Sequence, residues 1–267
     1  KVGESDEPLS GALFGLFRAD EAAFTAETAL AVSISDADGS FSFDKIPYGN
    51  WLIREIAAPE GYVLSDEVYP VTIAENGVVL EIKITNERIR GNVQLTKVDK
   101  DTTTPQGDAT FSGAVFKWEY FPNNDWSGTP ARVWYFATDS NGRCLYSKDY
   151  LSNGYASDAL YVSPAGVNQL PLGSLKITEV KNSLGYTVIP NSLLCTIVAD
   201  SSAASGAKHV WTDTSMTLLK QMANGDWGVY EPIDESLFGS VAVEKYDAAT
   251  GQNPQGEATF ADAKFQI

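Results

Sequence analysis

Apolar and polar positions alternate along most of the chain, and this alternation predicts short β-strands. Residues 91–99 show the pattern, because Val93, Leu95 and Lys97 fall on one face and polar residues fall on the other. A lysine on an apolar face is unusual, since a charged amine rarely lies in a core without a partner. The pattern therefore predicts an all-β chain with a lysine in its interior.

The same strand recurs, and the recurrence divides the chain. Residues 91–99 (GNVQLTKVD) return as residues 239–247 (GSVAVEKYD), and a shortened copy opens the sequence at Lys1. Tandem units of short antiparallel strands indicate a linear array of immunoglobulin-like β-sandwiches. We predict a first sandwich with a truncated first strand at 1–89, a larger sandwich with insertions at 90–238, and the opening strands of an incomplete third repeat at 239–267.

Two more polar groups share the inward face of the first unit. Glu55 falls on the same face of its predicted strand as Trp51 and Ile53, and Asn86 falls on the same face as Ile84. The pattern thus aims a lysine, a carboxyl and an amide at one interior.

The second unit repeats this arrangement. Glu179 stands six residues before a Gly-Tyr pair, as the first glutamate does. Asp234 lies eleven residues before Lys245, and Asn86 lies eleven residues before Lys97. We therefore predict a second set of Lys97, Glu179 and Asp234, while Lys245 belongs to a third set whose partners lie outside this chain.

Burial changes the chemistry of such groups. Desolvation lowers the pKa of a lysine and raises that of a carboxyl, by roughly 3–5 units at full burial. A neutral amine is a nucleophile, and a protonated carboxyl can polarise an acceptor carbonyl and carry a proton. The alternative is an unreacted lysine–glutamate ion pair beside a hydrogen-bonded amide. The residues alone leave both interpretations open.

Lys1, residues 9–14 (LSGALF), residues 55–62 (EIAAPEGY) and Asn86 resemble the collagen-adhesin B-type (CnaB; SpaA, prealbumin-like) domains of Gram-positive surface proteins. The second unit departs from the pattern, because residues 179–186 (EVKNSLGY) lack the proline. The resemblance implies that a first-strand lysine bonds covalently to a last-strand Asn or Asp with help from a glutamate. The implied isopeptide bonds are Lys1–Asn86 assisted by Glu55 and Lys97–Asp234 assisted by Glu179. Pro232 is expected to interrupt the last strand of the second unit.

Composition excludes several other functions. The chain has 19 Lys and Arg against 35 Asp and Glu, a net charge of −16, which argues against nucleic acid and anionic membranes. His209, Cys144 and Cys195 do not cluster, so we predict no metal site and no cofactor. The two cysteines are predicted to be buried thiols, with their pairing left open. No run approaches the roughly 18 apolar residues of a membrane span, so this segment is not expected to insert in a membrane.

Three tryptophans, Trp118, Trp126 and Trp134, crowd an insertion that is special to the second unit. Aromatic pairs across a long hairpin are the favoured explanation. The alternative is a set of exposed aromatic side chains that stack on a sugar or dock a protein ligand.

The sequence thus predicts a structural stalk segment of a secreted adhesin or pilus-like protein at the cell wall, stiffened by self-formed bonds. Its expected partners are neighbouring repeats of the same longer protein, and any host ligand is left open. The alternative is a carbohydrate- or protein-binding module that uses the tryptophan insertion. Bond formation of this kind is single-turnover, so we do not expect an enzyme. Under load, only the eleven-residue connections are expected to stretch, each to about 40 Å at most.

Overall fold

The computed structural model describes residues 1–189, 191–203, 206–212, 217–221, 227–234, 259, 261 and 264. Over these residues the fold is all-β, as predicted, and the one helical element is a 3-10 turn at Lys148–Tyr150. No helix in this part of the chain is long and apolar enough to cross a bilayer. The strands are β1 (Leu13–Arg18), β2 (Ala31–Ile34), β3 (Gly49–Ala57), β4 (Val68–Ile73), β5 (Arg90–Thr96), β6 (Val98–Asp99), β7 (Val115–Phe121), β8 (Arg132–Ala137), β9 (Arg143–Leu145), β10 (Leu170–Pro171), β11 (Gly173–Lys181), β12 (Leu193–Ala199), β13 (Ala207–Trp211), β14 (Thr217–Gln221) and β15 (Trp227–Asp234).

The first sheet is antiparallel, with the strand order β2-β1-β3-β4. Along β3, buried and partly exposed residues alternate, so Trp51, Ile53 and Glu55 all face the core. The inward parity predicted for Glu55 is therefore confirmed. The core that these strands cover consists of Ala12, Phe14, Leu16, Trp51, Ile53, Val71 and Ile84.

Two larger sheets follow and form a β-sandwich around a second core. One has the order β10-β5-β15-β14, with β6 paired to β15 and β9 paired to β5. The other has the order β13-β12-β11-β7-β8. Val93 and Leu95 of β5 are fully buried in this core, as the period-two pattern predicts.

Strand β15 of this sandwich runs parallel to β5 and β6. β15 pairs with β5 from Trp227 to Tyr230, and with β6 at Ile233 and Asp234. Pro232 falls between these two ladders and lies opposite Thr217 of β14, and β15 continues through it to Asp234. The expectation that Pro232 breaks the strand was wrong.

Backbone contacts divide the chain into two compact units, Lys1–Ser236 and Leu237–Ile267. Both cores belong to the first of these units. The predicted third repeat lies almost wholly outside the described residues, and Lys245 lies outside them. The division into sandwiches at 1–89 and 90–238 stays a prediction.

Candidate functional site

The first residues of the chain lie parallel to residues 84–86. Val2 N–H donates to Ile84 O at 2.9 Å, and Asn86 N–H donates to Val2 O at 3.1 Å. Val2 lies opposite Thr85 in this short parallel bridge. Lys1 and Asn86 therefore flank the same bridge, one just before it and one just after it.

Lys1, Glu55 and Asn86 meet in the interior. The Nζ of Lys1 donates to Asn86 Oδ1, and the Nδ2 of Asn86 lies 2.8 Å from each Glu55 oxygen. Lys1 Nζ is 3.5 Å from Glu55 Oε1, and these two side chains are 0% and 1% exposed. Burial lowers the pKa of the Lys1 amine, and the opposing effect of the Glu55 charge is smaller. The arrangement places an amine whose pKa is lowered by burial against an amide.

Glu55 touches the amide nitrogen, which would be the leaving group of an acyl transfer. The expected role of the glutamate included polarising the acceptor carbonyl. In the structure, Lys1 contacts the carbonyl oxygen, and both Glu55 oxygens accept from the nitrogen. Glu55 is thus placed to move a proton onto that nitrogen.

A second set forms around Lys97, which is fully buried. Its Nζ lies 2.8 Å from Glu179 Oε1, and both side chains are 0% exposed. The side chain of Asp234 lies outside what the structure describes, and the backbone of Asp234 pairs with Asp99. The structure therefore joins two members of the predicted set and gives a register position for the third.

The backbone register of the two sets is the same. In the second, Val98 follows the lysine, Ile233 precedes the acceptor, and these two residues lie opposite each other in parallel strands. In the first, Val2 follows the lysine, Thr85 precedes the acceptor, and they too are paired in parallel. Each lysine therefore stands in the same position relative to its predicted acceptor.

Each glutamate is also held by a backbone N–H ten residues further along. Ser65 N–H donates to Glu55 Oε2 at 2.9 Å, and Ile189 N–H donates to Glu179 Oε2 at 2.7 Å. Sequence reasoning missed both donors. The equal spacing is the only signal, because a main-chain donor does not depend on residue type.

An aromatic ring covers each lysine. Lys1 Nζ lies 5.7 Å from the centroid of the Phe14 ring, and Lys97 Nζ lies 5.6 Å from that of Tyr186. Tyr62 has the position of Tyr186 in the first Gly-Tyr pair, yet its hydroxyl contacts Glu7 at 3.0 Å. The two sites therefore draw their aromatic cover from different elements.

The predicted ligand-binding tryptophans do not form an exposed set. Trp118 and Trp134 are 0% exposed and face each other across β7 and β8. Trp126 is partly buried, and its Nε1–H donates to Leu175 O at 2.8 Å. Assigning Trp118 and Trp134 to ligand binding was wrong, because core packing between the strands already covers both indoles. The cross-strand explanation is confirmed for this pair.

Cys144 and Cys195 are buried free thiols, and burial raises the pKa of each. Within the described ranges, no group of three or more His, Cys, Asp or Glu residues could hold a metal ion.

Ion pairs hold the segment that connects the two sets. Arg90 Nη2 lies 2.5 Å from Glu4 Oε2, and these side chains are 10% and 12% exposed. Ile89 N–H donates to Gly61 O at 2.8 Å, and Arg88 pairs with Glu7 at 2.6 Å. β5 begins at residue 90, so most of the eleven-residue connection from Asn86 to Lys97 is held by ion pairs and strand hydrogen bonds.

Comparison with known proteins agrees with the resemblance found in the sequence. The SpaA family, described as a prealbumin-like fold domain, matches residues 1–88. Among curated proteins, no sequence matches the chain. The resemblance is therefore confirmed for residues 1–88.

Solved structures extend the likeness in fold. The Bacillus anthracis TIE protein aligns with a TM-score of 0.55 and 19% identity over 88% of this chain and 33% of that one. A streptococcal ancillary pilin aligns with a TM-score of 0.31 and 17% identity over 88% of this chain and 60% of that one. The C-terminal fragment of the pilus adhesin SpaC from Lactobacillus rhamnosus GG gives 0.47 and 13%, over 90% and 97% of the two chains. The chain spans a third of the length of the TIE structure, with which it shares its fold.

Proposed function

We propose that this chain is a structural segment of a pilus or surface adhesin, located outside the cell and stiffened by isopeptide bonds that it forms itself. The contact of Lys1, Glu55 and Asn86 in a buried interior carries this proposal. The match of residues 1–88 to the SpaA domain supports it.

The first bond forms by transfer of the Asn86 acyl group to Lys1. The neutral Nζ attacks Cγ of Asn86, the Cγ–Nδ2 bond breaks, and ammonia leaves. Glu55 takes the proton that the amine loses and gives it to Nδ2, from which its oxygens lie 2.8 Å away. Proximity of this kind offsets roughly 7–11 kcal/mol of a barrier.

The ion-pair alternative fits the first site less well. An ion pair would place the glutamate on the amine, yet Glu55 lies 3.5 Å from Lys1 Nζ and 2.8 Å from the amide nitrogen. A buried charge pair also stabilises a fold little beyond its own desolvation cost. The contacts therefore favour chemistry at the amide.

The second bond joins Lys97 to Asp234 and releases water. Its support is the equal register of the two sets, which gives Lys97 and Asp234 the same relative backbone position as Lys1 and Asn86. Here the nucleophile attacks a carboxylic acid, so the departing hydroxyl takes up a proton as it leaves.

The chemistry is self-directed and occurs once, so the chain is a structural protein and not an enzyme. It needs no cofactor. The partners that this role implies are neighbouring sandwiches in tandem within a longer wall-associated protein.

Intact mass spectrometry tests the proposal directly. We expect a mass below the sequence mass by one ammonia plus one water, unchanged by reducing agents. Digestion should yield one peptide pair that joins Lys1 to Asn86 and a second pair that joins Lys97 to Asp234. A full sequence mass for folded chain would overturn the proposal.

A further inference from the structure

We propose that Gly39 and Gly142 are positioning residues for the two bonds, each fixing the backbone of one reactive lysine. This inference rests on the proposed function. Neither glycine touches a reacting atom, so both act through the lysine that they contact.

The two glycines close turns of the same construction. Gly39 N–H donates to Asp36 O at 3.0 Å, and the Asp36 carboxylate accepts from Ser40 N–H at 3.1 Å. Gly142 N–H donates to Asp139 O, also at 3.0 Å. The glycine φ angles are +79° and +75°, a region that residues with a Cβ rarely adopt.

Each turn contacts the backbone nitrogen and the carbonyl oxygen of its lysine. The carbonyl of Gly39 accepts from the backbone nitrogen of Lys1 at 2.6 Å, and that of Gly142 accepts from Lys97 N–H at 2.8 Å. A Cβ on Gly39 would overlap the carbonyl oxygen of Lys1, and a Cβ on Gly142 would overlap that of Lys97. The lysine backbone thus lies directly against a glycine Cα in both sites.

The contact between the glycine and the lysine backbone limits the positions that the lysine Nζ can occupy. Once the backbone of a buried lysine is fixed, its side chain has few ways to bring Nζ to the acceptor. An added Cβ would push the lysine backbone away from the turn, and a misplacement of about 1 Å can cost about 100-fold in rate. The turn therefore controls attack without taking part in it.

The test separates this contact from backbone strain. Asparagine tolerates positive φ better than most residues, so Gly39→Asn keeps the turn while adding a Cβ against Lys1. Gly77→Asn is the matched control, because Gly77 has a φ of +78° and a Cβ there meets nothing within 4 Å. Gly142→Asn and Gly113→Asn form the same pair in the second sandwich, since Gly113 has a φ of +83° and open space.

Chains would be made in a short pulse of cell-free synthesis and sampled over time. Intact mass then gives the rate of bond formation, and cross-linked peptides separate the two bonds. We expect Gly39→Asn to slow only the Lys1 bond and Gly142→Asn only the Lys97 bond, each by roughly 10- to 100-fold, with both controls within about two-fold of wild type. Circular dichroism confirms that the compared chains are folded.

Several outcomes would overturn the inference. Folded Gly39→Asn chains that bond at the wild-type rate would show that the contact does not position Lys1. A control slowed as much as its partner would assign the effect to strain, and failure of both test variants to fold would assign the glycines to folding. A folded wild-type chain of full mass would instead overturn the proposed function itself.

Discussion

The two lysine sites share a backbone frame and differ in the distance between the glutamate and the lysine. In the first, Glu55 lies on the acceptor amide and is 3.5 Å from the lysine. In the second, Glu179 lies 2.8 Å from the lysine itself. The shared strand frame therefore brings a lysine and a glutamate together in both sites, and the local contacts set how close the two side chains lie.

The tyrosines of the two Gly-Tyr pairs also make different contacts in the two sites. Tyr186 is fully buried over Lys97, whereas Tyr62 reaches outward to Glu7. The two tyrosines follow their glutamates at equal spacing, so the difference arises from their surroundings. Equal spacing fixes the place of a residue in the fold and not the contact that it makes.

The largest expected effect comes from removing an acceptor. Asn86→Ala should prevent the first bond, which would close a loop of 85 residues, and lower the free energy of unfolding by about 4–5 kcal/mol. Denaturant unfolding measures the loss, and intact mass should show water loss alone. A variant as stable as wild type would mean that the wild-type chain has no such bond.

The second prediction concerns the glutamate on the amide. Glu55→Gln removes the proton carrier, so the first bond should form about 100- to 10,000-fold more slowly while the second forms normally. Pulse synthesis followed by mass spectrometry gives both rates in one chain. Glu60→Gln is the control, because Glu60 is exposed. Equal slowing of both bonds would point to a general folding defect.

The third prediction is a pH dependence. Burial lowers the pKa of Lys1 below its ordinary value of 10.5, and only the neutral amine attacks. The rate of the first bond should therefore rise with pH through this lowered pKa and level off at a pH below that expected for an ordinary lysine. A rate that still climbs up to the pH expected for an ordinary lysine would mean that the reacting amine is solvated.

The smallest expected effect concerns the connection between the sites. The hydrogen bond from Arg90 lowers the pKa of Glu4, so the pair stabilises the fold above the usual range for Glu and loses its effect as pH falls through the lowered value. Glu4→Gln should cost about 1–2 kcal/mol at neutral pH, measured by thermal or denaturant unfolding. Asp6→Asn is the control, since its partner Lys83 is 61% exposed, and it should cost nothing measurable. If both variants lost the same free energy of unfolding, the contact between Glu4 and Arg90 would have no special role.

Side-chain parity predicted much of the site. Glu55 stands on the buried face of β3, and Lys97, just after β5, continues the face of Val93 and Leu95, so period-two alternation predicted that both point inward. Parity placed Asn86 inward as well, and the resemblance to a known domain supplied the chemistry.

Other features depend on backbone contacts that no residue type records. Ser65 and Ile189 act through their main-chain N–H groups, and Gly39 and Gly142 act through the absence of a Cβ. The expectation for Pro232 failed because a proline in the sequence does not show whether a strand continues through it, as β15 does. Such contacts become visible only once strand register is known.

The parallel pairing of β5 and β15 has a mechanical consequence. When a chain is pulled at both ends, parallel terminal strands slide along each other in shear, so their ladder bonds resist together. Antiparallel terminal strands would instead unzip, one bond at a time. Even without a covalent link, this strand order therefore opposes rupture when the sandwich is pulled at the free ends of β5 and β15.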